Sequence, residues 1–403
     1  MNPLMIVGAG LAGWTTAREF RKLDSSTPIT VVTADCGDFY AKPSLSNAFA
    51  QGKGPAQLVS TPAAKMAETL NVTLLPHTRV TALDVAASRV RTAAGDLPYR
   101  DLVLATGAQP IRVPVQGNAA QRVISVNSLE DFVQFHEQLQ HARAVSDSSN
   151  GRVLIMGAGL IGCEFANDLA HAGYCVSLVD PGNRPLAALL PEAASAALQQ
   201  ALETLGVRFF WETTVQAVDA PAGGAPLEAL LASGDRLPVD CVLSAVGLRA
   251  DLSLAQAAGL TVDRGIVVDT HLQTSAHHIY ALGDGAQYAS AASKLSAHGA
   301  TLPYVMPIMN AAKALAATLT GTPTKLVFPL MPVSVKTPAL PLVVAAPAPG
   351  TAGAWLEAKD DSGQHDAGVW HWTDSAGLPG GFVLAGAKTA QRMAQSRRLA
   401  LTV

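Results

Sequence analysis

The sequence holds only four cysteines, Cys36, Cys163, Cys175 and Cys241, and no two are spaced to form a CxxC dithiol or a zinc knuckle. That excludes a locally written redox disulfide or structural zinc site, and points to reduced thiols in a cytoplasmic chain. The ten histidines show no HExxH or comparable spacing, so no metal site is predicted. Charged residues make up 15% and the net charge is −3, so nothing global favours nucleic acid or an anionic membrane. No run of about 18 apolar residues occurs, so no membrane span or direct membrane insertion is expected. The opening MNPLMIVGAG lacks a basic region and reaches glycine too early for a signal peptide.

What is abundant is apolar residues and glycine. The chain is 49% hydrophobic with 34 glycines, a balance that suits a compact α/β protein and opposes disorder. Its 403 residues exceed one core and imply two or three domains.

The glycines carry a repeat: GAGLAG at 8–13 and GAGLIG at 157–162. Each follows a short apolar run, LMIV at 4–7 and RVLIM at 152–156, and each opens a helical pattern. In the first unit the helix is predicted over 11–22, packed through Ala12, Ala17 and Phe20, before a second strand ITVVTAD at 29–35. The second unit repeats strand, turn, helix and strand over 152–180. A GxGxxG turn in this context binds a dinucleotide pyrophosphate. Gly8 and Gly157 permit the tight turn, Gly10 and Gly159 admit the phosphates, and Gly13 and Gly162 let the helix pack on the sheet. Two turns imply two dinucleotides.

An acid after the second strand should hold a ribose hydroxyl, roughly 20 residues beyond the first glycine. Asp180 meets that expectation, and its charge opposes a 2′-phosphate, favouring NADH. Arg184 nearby is a weak signal in the other direction. The first unit is less regular, with Thr33 at the strand end and Asp35 as its first acid.

Further strands are predicted at 72–76, 79–85, 239–247, 265–269 and 278–284, a hairpin and returning strand over 89–107, and a helix over 303–321. Ser128 and Asp131 have capping-box spacing at the start of a helix, and DSSNG at 147–151 reads as a linker. From 326 onward short strands, prolines and GLPGG at 377–381 suggest a separate α+β domain.

LVLATGAQP at 102–110 and HIYALGD at 278–284 resemble the ATG and GD motifs of the pyridine nucleotide–disulfide oxidoreductase superfamily. The resemblance implies two Rossmann-like, glutathione-reductase-like domains. FAD would take residues 1–112 and 247–325, NAD the inserted 113–246, and a small C-terminal domain 326–403. It puts FAD at the first glycine turn and NADH at the second. Asp284 then borders the flavin's ribityl chain and pyrophosphate, with Asp35, Val80, Thr106, Gly107 and Met306 on the flavin side and Gly247 on the NAD side.

The superfamily's CxxxxC pair is absent. FYAKPSLSNAF at 39–49 resembles the Tyr-x-Lys-Pro-x-Leu-Ser segment of rubredoxin reductases and flavorubredoxin reductases, where ferredoxin and putidaredoxin reductases more often have Arg-Pro-Pro-Leu-Ser-Lys. GAGLIGCEFANDLAHAGY at 157–174, YVMPIM at 304–309 and PVSVKTPALPLVV at 332–344 extend the resemblance over nearly the full length. The family's usual Gly-Asp-Cys-Ala is Gly283-Asp284-Gly285-Ala286 here, and 351–380 matches weakly.

The resemblance implies hydride transfer from NADH to FAD, then single electrons to rubredoxin, a small acidic iron protein. Lys42, with Pro43, would sit beside flavin N5. Glu164 would pair with Lys42 and touch the carboxamide. Lys336, Arg392, Arg397 and Arg398 are available for an acidic partner, and a monomer or weak dimer is expected. Three alternatives stay open: a ferredoxin reductase of a monooxygenase system, a flavin NADH oxidase or peroxidase using Cys36, and a flavin-bound regulatory protein of the apoptosis-inducing-factor kind.

Overall fold

The computed structural model describes residues 2–145, 150–221, 226–289, 299–347, 350–359 and 365–400. Of the DSSNG linker, only Asn150 and Gly151 lie among them. The chain divides into two compact units. One comprises Met1–Ala41, Val59–Gln109 and Leu248–Met331; the other comprises Lys42–Leu58, Pro110–Gly247 and Pro332–Val403.

In the first unit the apolar runs pair into one parallel sheet. Its strands run Ile279–Ala281, Asp101–Leu104, Leu4–Val7, Ile29–Val32 and Val72–Leu75 across the sheet. The strand order reverses between Leu4–Val7 and Asp101–Leu104: the chain runs outward from Leu4–Val7 through Ile29–Val32 to Val72–Leu75, then returns to the other side of Leu4–Val7; crevices for ligands open at such points. The expected helix forms over Leu11–Leu23 and buries Ala12, Ala17 and Phe20 with Trp14. Trp14 is fully buried because its indole N–H donates to the Gly37 carbonyl at 2.9 Å. A second helix, Val305–Leu319, packs along it with its alanines inward. Val80–Asp84, Arg89–Thr92 and Gly95–Pro98 form an antiparallel ribbon beyond the sheet.

Asp24 closes the Leu11–Leu23 helix. The Thr27 hydroxyl and N–H, at 2.5 and 2.8 Å, and the Ser26 N–H at 2.8 Å donate to its carboxylate and hold it well below the usual carboxylate range. The unfolded chain therefore binds this proton more tightly than the folded one. The stabilisation is complete above the unfolded pKa and is lost as pH falls through the folded value. Asp24→Ala is expected to lower the urea midpoint at neutral pH, with the gap from wild type narrowing as the titration moves below about pH 4.

The second unit repeats the plan. Its parallel sheet runs Val123–Ile124, Cys241–Ser244, Arg152–Met156, Cys175–Asp180 and Arg208–Trp211. The Leu160–His171 helix follows the second glycine turn. An antiparallel ribbon of Val215–Asp219, Leu227–Leu231 and Arg236–Val239 again lies beyond the sheet. The predicted capping box closes as drawn: Ser128 Oγ accepts the Asp131 N–H at 3.0 Å, and the Asp131 carboxylate accepts the Ser128 N–H at 2.9 Å.

Residues 332–403 contribute an antiparallel sheet to this unit. Its order is Val333–Val335, Leu342–Ala345, Pro379–Ala385, His365–Asp374 and Gly353–Lys359, with the helix Arg392–Ala400 against it. Its Val335, Leu342, Val344, Trp370 and Val383 share one core with Phe165 and Leu169 of the glycine-turn helix. GLPGG becomes the turn into Pro379–Ala385, and Gly380 and Gly381 lie where a side chain would strike Trp372 and the Ala345 carbonyl.

The segment 42–58 also packs in the second unit, although the sequence groups it with the first glycine turn. Phe49 explains the attachment. Its ring lies 5.2 Å from Phe132 and 5.7 Å from Phe135, and stacks on His136 at 5.8 Å. The backbone N–H groups of Phe49 and Ala50 each donate to the Asp168 carboxylate at 2.9 Å. Burial pushes the Asp168 carboxyl up, and these two N–H groups oppose that rise.

Candidate functional site

The first glycine turn is built by close contact. Gly8 has φ of +107°, and a Cβ there would lie 2.3 Å from the Ala105 carbonyl oxygen. A Cβ on Gly13 would lie 1.9 Å from the Gly8 carbonyl oxygen. Gly10 differs: a Cβ there would meet nothing within 4 Å. Folding alone does not require glycine at that point, whereas close approach of a phosphate does. Gly10 is the N-cap of the Leu11–Leu23 helix, with no side-chain cap and no acid in the first turn. Its N–H groups and the positive end of the helix dipole are left for an anion.

Other expected residues of this unit converge on the same end of the sheet. Thr106 and Gly107 follow Asp101–Leu104, with Gly107 at φ of +70°. Gly285 lies against that turn, and a Cβ there would stand 2.9 Å from the Gly107 carbonyl oxygen. Gly283 abuts Ala12, which sets half-buried Asp284 beside the first turn of the helix. Tyr288 donates no charge here; its buried hydroxyl accepts the Gly283 N–H at 2.8 Å and its pKa is pushed up by burial. Asp35 accepts the Thr33 hydroxyl at 2.6 Å and the Gly37 N–H at 3.0 Å, shaping the loop after the second strand. The Thr33 and Asp35 carbonyls accept Thr78 and His77 N–H groups, so Val80 begins its strand next to this loop. Met306 lies in the first turn of Val305–Leu319 and is 47% exposed.

The second turn repeats these relations. Gly157 has φ of +102° and faces the Ala245 carbonyl. A Cβ on Gly162 would lie 1.9 Å from the Gly157 carbonyl oxygen, and Gly159 again meets nothing within 4 Å at an uncapped helix N-terminus. Asp180 ends its strand and accepts the Ala158 N–H at 2.6 Å and the Gly182 N–H at 2.7 Å. The Gly247 carbonyl accepts the Ile111 N–H at 3.0 Å, and Gly247 itself has φ of +108°. Both turns thus fit a pyrophosphate: space at the middle glycine, uncapped N–H groups, and an acid beyond the next strand.

Glu164, two residues past Gly162, is 1% exposed. Its ion pair is with Lys336, at 2.6 Å, rather than with the expected Lys42. Glu164 also accepts the Ser46 hydroxyl at 2.7 Å and the Lys336 backbone N–H at 3.0 Å. Lys42 and Pro43 open a 3-10 helix, Lys42–Asn47, in the same unit. Ser46 is a participant the sequence missed, and Lys336 was named there only as a cation for an acidic partner. Both lie in stretches that carry the family resemblance, but a partner 172 residues away leaves no local spacing to read. Of the other cations named for an acidic partner, Arg392 donates to Ser334 Oγ and the Pro332 carbonyl, while Arg397 and Arg398 are exposed on the last turn of their helix.

The cysteines add no redox pair. All four remain thiols, and burial, then the Asp180 and Glu164 charges, push the Cys163 thiol up. Among the described residues no helix is long and apolar enough to cross a membrane, and no group of His, Cys, Asp or Glu could hold a metal ion.

The model of the pyridine nucleotide-disulphide oxidoreductase family matches residues 2–314, and that of the rubredoxin binding C-terminal domain matches residues 325–399. The chain is 43% identical over 400 residues to a rubredoxin-NAD(+) reductase of Alcanivorax borkumensis, covering 99% of each chain. It is 40% identical to the rubredoxin-NAD(+) reductase of Acinetobacter baylyi, covering 100% of this chain and 97% of that one. A nitric oxide reductase FlRd-NAD(+) reductase of Aeromonas salmonicida is 41% identical over 87% of this chain and 86% of its own length. Among solved structures, the covalent putidaredoxin reductase–putidaredoxin complex aligns with a TM-score of 0.86 at 26% identity, covering 100% of this chain and 94% of the other. Two repeated glycine turns followed by this C-terminal sheet therefore have one consistent family context: the chain belongs to the pyridine nucleotide–disulphide oxidoreductases and, within them, to the rubredoxin–NAD(+) reductases.

Proposed function

We propose that this chain is an FAD-dependent rubredoxin–NAD(+) reductase, with FAD on the first glycine turn and NADH on the second. The observation that carries the reading is the pair of turns, each with open space at its middle glycine and an uncapped helix, in a chain that also contains a rubredoxin-binding-type domain. Held there, FAD would supply the chemistry that couples two-electron oxidation of NADH to one-electron reduction of the rubredoxin iron.

The chain's part is to bind and orient. Gly8, Gly10 and Gly13 bring the helix N–H groups to the FAD pyrophosphate, and Asp284 borders the ribityl chain. Asp35, Val80, Thr106, Gly107 and Met306 complete the flavin side. Gly157, Gly159 and Gly162 do the same for NADH, Asp180 faces the ribose, and Gly247 lines the nicotinamide half. Lys42 supplies positive charge where the reduced ring system gains negative charge, and Glu164 holds the carboxamide. We assign the molecule to the cytoplasm, which suits four cysteines kept as thiols.

The test is steady-state turnover with NADH and purified rubredoxin, run beside a [2Fe–2S] ferredoxin and oxygen, for wild type and Cys36→Ser. Rubredoxin reduction that survives Cys36→Ser supports the proposal. Oxygen consumption that disappears in Cys36→Ser, with rubredoxin left oxidised, contradicts it.

A further inference from the structure

The geometry points to Lys336 as a positioning residue for the nicotinamide half of the reaction, acting from the rubredoxin-binding module; this rests on the function proposed above. The sequence offers Lys336 as a docking cation for an acidic partner. In the structure its ammonium has three acceptors: the Pro43 carbonyl at 2.5 Å, Glu164 Oε2 at 2.6 Å and Ser46 Oγ at 2.9 Å. An ammonium has three N–H donors, so its capacity is filled. The backbone N–H of the same residue donates to Glu164 Oε1. One residue therefore holds both oxygens of the carboxylate.

Ser46 closes the cluster into a ring. Its hydroxyl accepts from the Lys336 ammonium and donates to Glu164 Oε2 at 2.7 Å. Ser46 and Glu164 are both almost fully buried, while the Lys336 side chain keeps 32% of its surface exposed. A carboxylate this deeply buried requires a cation and matched hydrogen bonds to remain charged and fixed.

The connections give the ring its meaning. Glu164 lies two residues past Gly162 of the second glycine turn, and Pro43 directly follows Lys42. Lys336 itself follows the strand Val333–Val335 of the C-terminal sheet. One ammonium thus holds the carboxylate beside the nucleotide turn and the backbone beside Lys42, from a module of a different family. Without it, Glu164 keeps one hydroxyl and one N–H, and its carboxylate is no longer fixed for a carboxamide.

A purely structural bridge would also lower stability when cut, so the test must read nucleotide binding. Lys336→Met, Lys336→Arg and Ser46→Ala holoproteins would be compared for NAD+ affinity by calorimetry, for KM of NADH and of rubredoxin, and for thermal midpoint. Lys336→Met is expected to raise the NAD+ Kd and the NADH KM by about tenfold or more, the loss of a charged hydrogen bond, with the rubredoxin KM unchanged. Lys336→Arg should recover much of the affinity, and Ser46→Ala should show a smaller rise in the same direction. Ser46→Ala keeps the question answerable if Lys336→Met does not fold. An unchanged NAD+ Kd with a lowered midpoint would overturn the proposal, and so would a rise confined to the rubredoxin KM. A wild type that fails to reduce rubredoxin would defeat the proposed function while leaving the NAD+ comparison readable.

Discussion

Gly159→Val is expected to yield a folded, yellow protein that NADH no longer reduces, while Gly10→Val folds without retaining flavin. Both residues cap their helices in extended conformations, with φ of −73° and −76°, which a β-branched residue tolerates. Neither would touch any protein atom within 4 Å through its Cβ. The cost to folding is therefore small, on the order of an N-cap preference of ~1 kcal/mol. The cost to a bound pyrophosphate is large. Charge-assisted hydrogen bonds contribute about 1.5–3 kcal/mol each, so losing two weakens binding by more than about 100-fold. Gly13→Ala and Gly162→Ala form the contrast. Their Cβ atoms would fall 1.9 Å from backbone carbonyl oxygens, which cannot step aside as a flexible side chain does. These two should lose stability as well as ligand, by about 1–3 kcal/mol or more. Thermal midpoint, flavin content and NADH-dependent bleaching separate the four variants. If Gly159→Val loses its flavin and Gly10→Val keeps it, the two turns have been assigned the wrong way round.

NADH is expected to be preferred over NADPH by more than about 100-fold in kcat/KM. Two unit charges about 5 Å apart at an effective dielectric of about 20 repel by about 3 kcal/mol, and a 2′-phosphate would add its charge beside Asp180. Asp180 cannot easily turn away, because its two oxygens hold the Ala158 and Gly182 N–H groups. Arg184 does not offset this charge. Its guanidinium donates to the Leu190 and Ala187 carbonyls of its own loop and to Ser195 Oγ of the helix Glu192–Thr204 that follows. Arg184→Ala should therefore reduce stability and leave the NADH/NADPH ratio as it was. A ratio that moves strongly in Arg184→Ala would mean that the arginine reaches the nucleotide. Asp180→Ser should weaken NADH more than it improves NADPH, since the turn loses the carboxylate that accepts two backbone N–H groups along with its charge.

The glycine turns were legible because their requirement is local. A positive φ at Gly8 or a carbonyl 1.9 Å from a Gly13 Cβ leaves glycine as the one residue that fits, and the apolar runs on either side announce strand and helix. The Ser128–Asp131 capping box was legible for the same reason, with donor and acceptor one turn apart. The attachment of 42–58 to the second unit was not. It depends on Phe49 meeting Phe132 and Phe135, and on Asp168 facing two backbone N–H groups, contacts across long stretches of chain with no periodic signature. The pairing of Lys336 with Glu164 was hidden for a related reason. In sequence it is one cation among several near the C-terminus, and only the fold brings it to a buried carboxylate. The second antiparallel ribbon, of Val215–Asp219, Leu227–Leu231 and Arg236–Val239, was missed as well. Its short strands alternate weakly, and the first unit's ribbon is its clearest precedent.

In the proposed function electrons enter from NADH on one turn, pass to the flavin on the other, and leave to rubredoxin. Anaerobic stopped-flow tests it most directly. The yellow protein is reduced with one equivalent of NADH, then mixed in parallel with oxidised rubredoxin, a [2Fe–2S] ferredoxin and air-saturated buffer. Rapid bleaching by NADH and fast reoxidation by rubredoxin are expected, with ferredoxin and oxygen slow. Fast reoxidation by ferredoxin or oxygen, with rubredoxin slow, would contradict it.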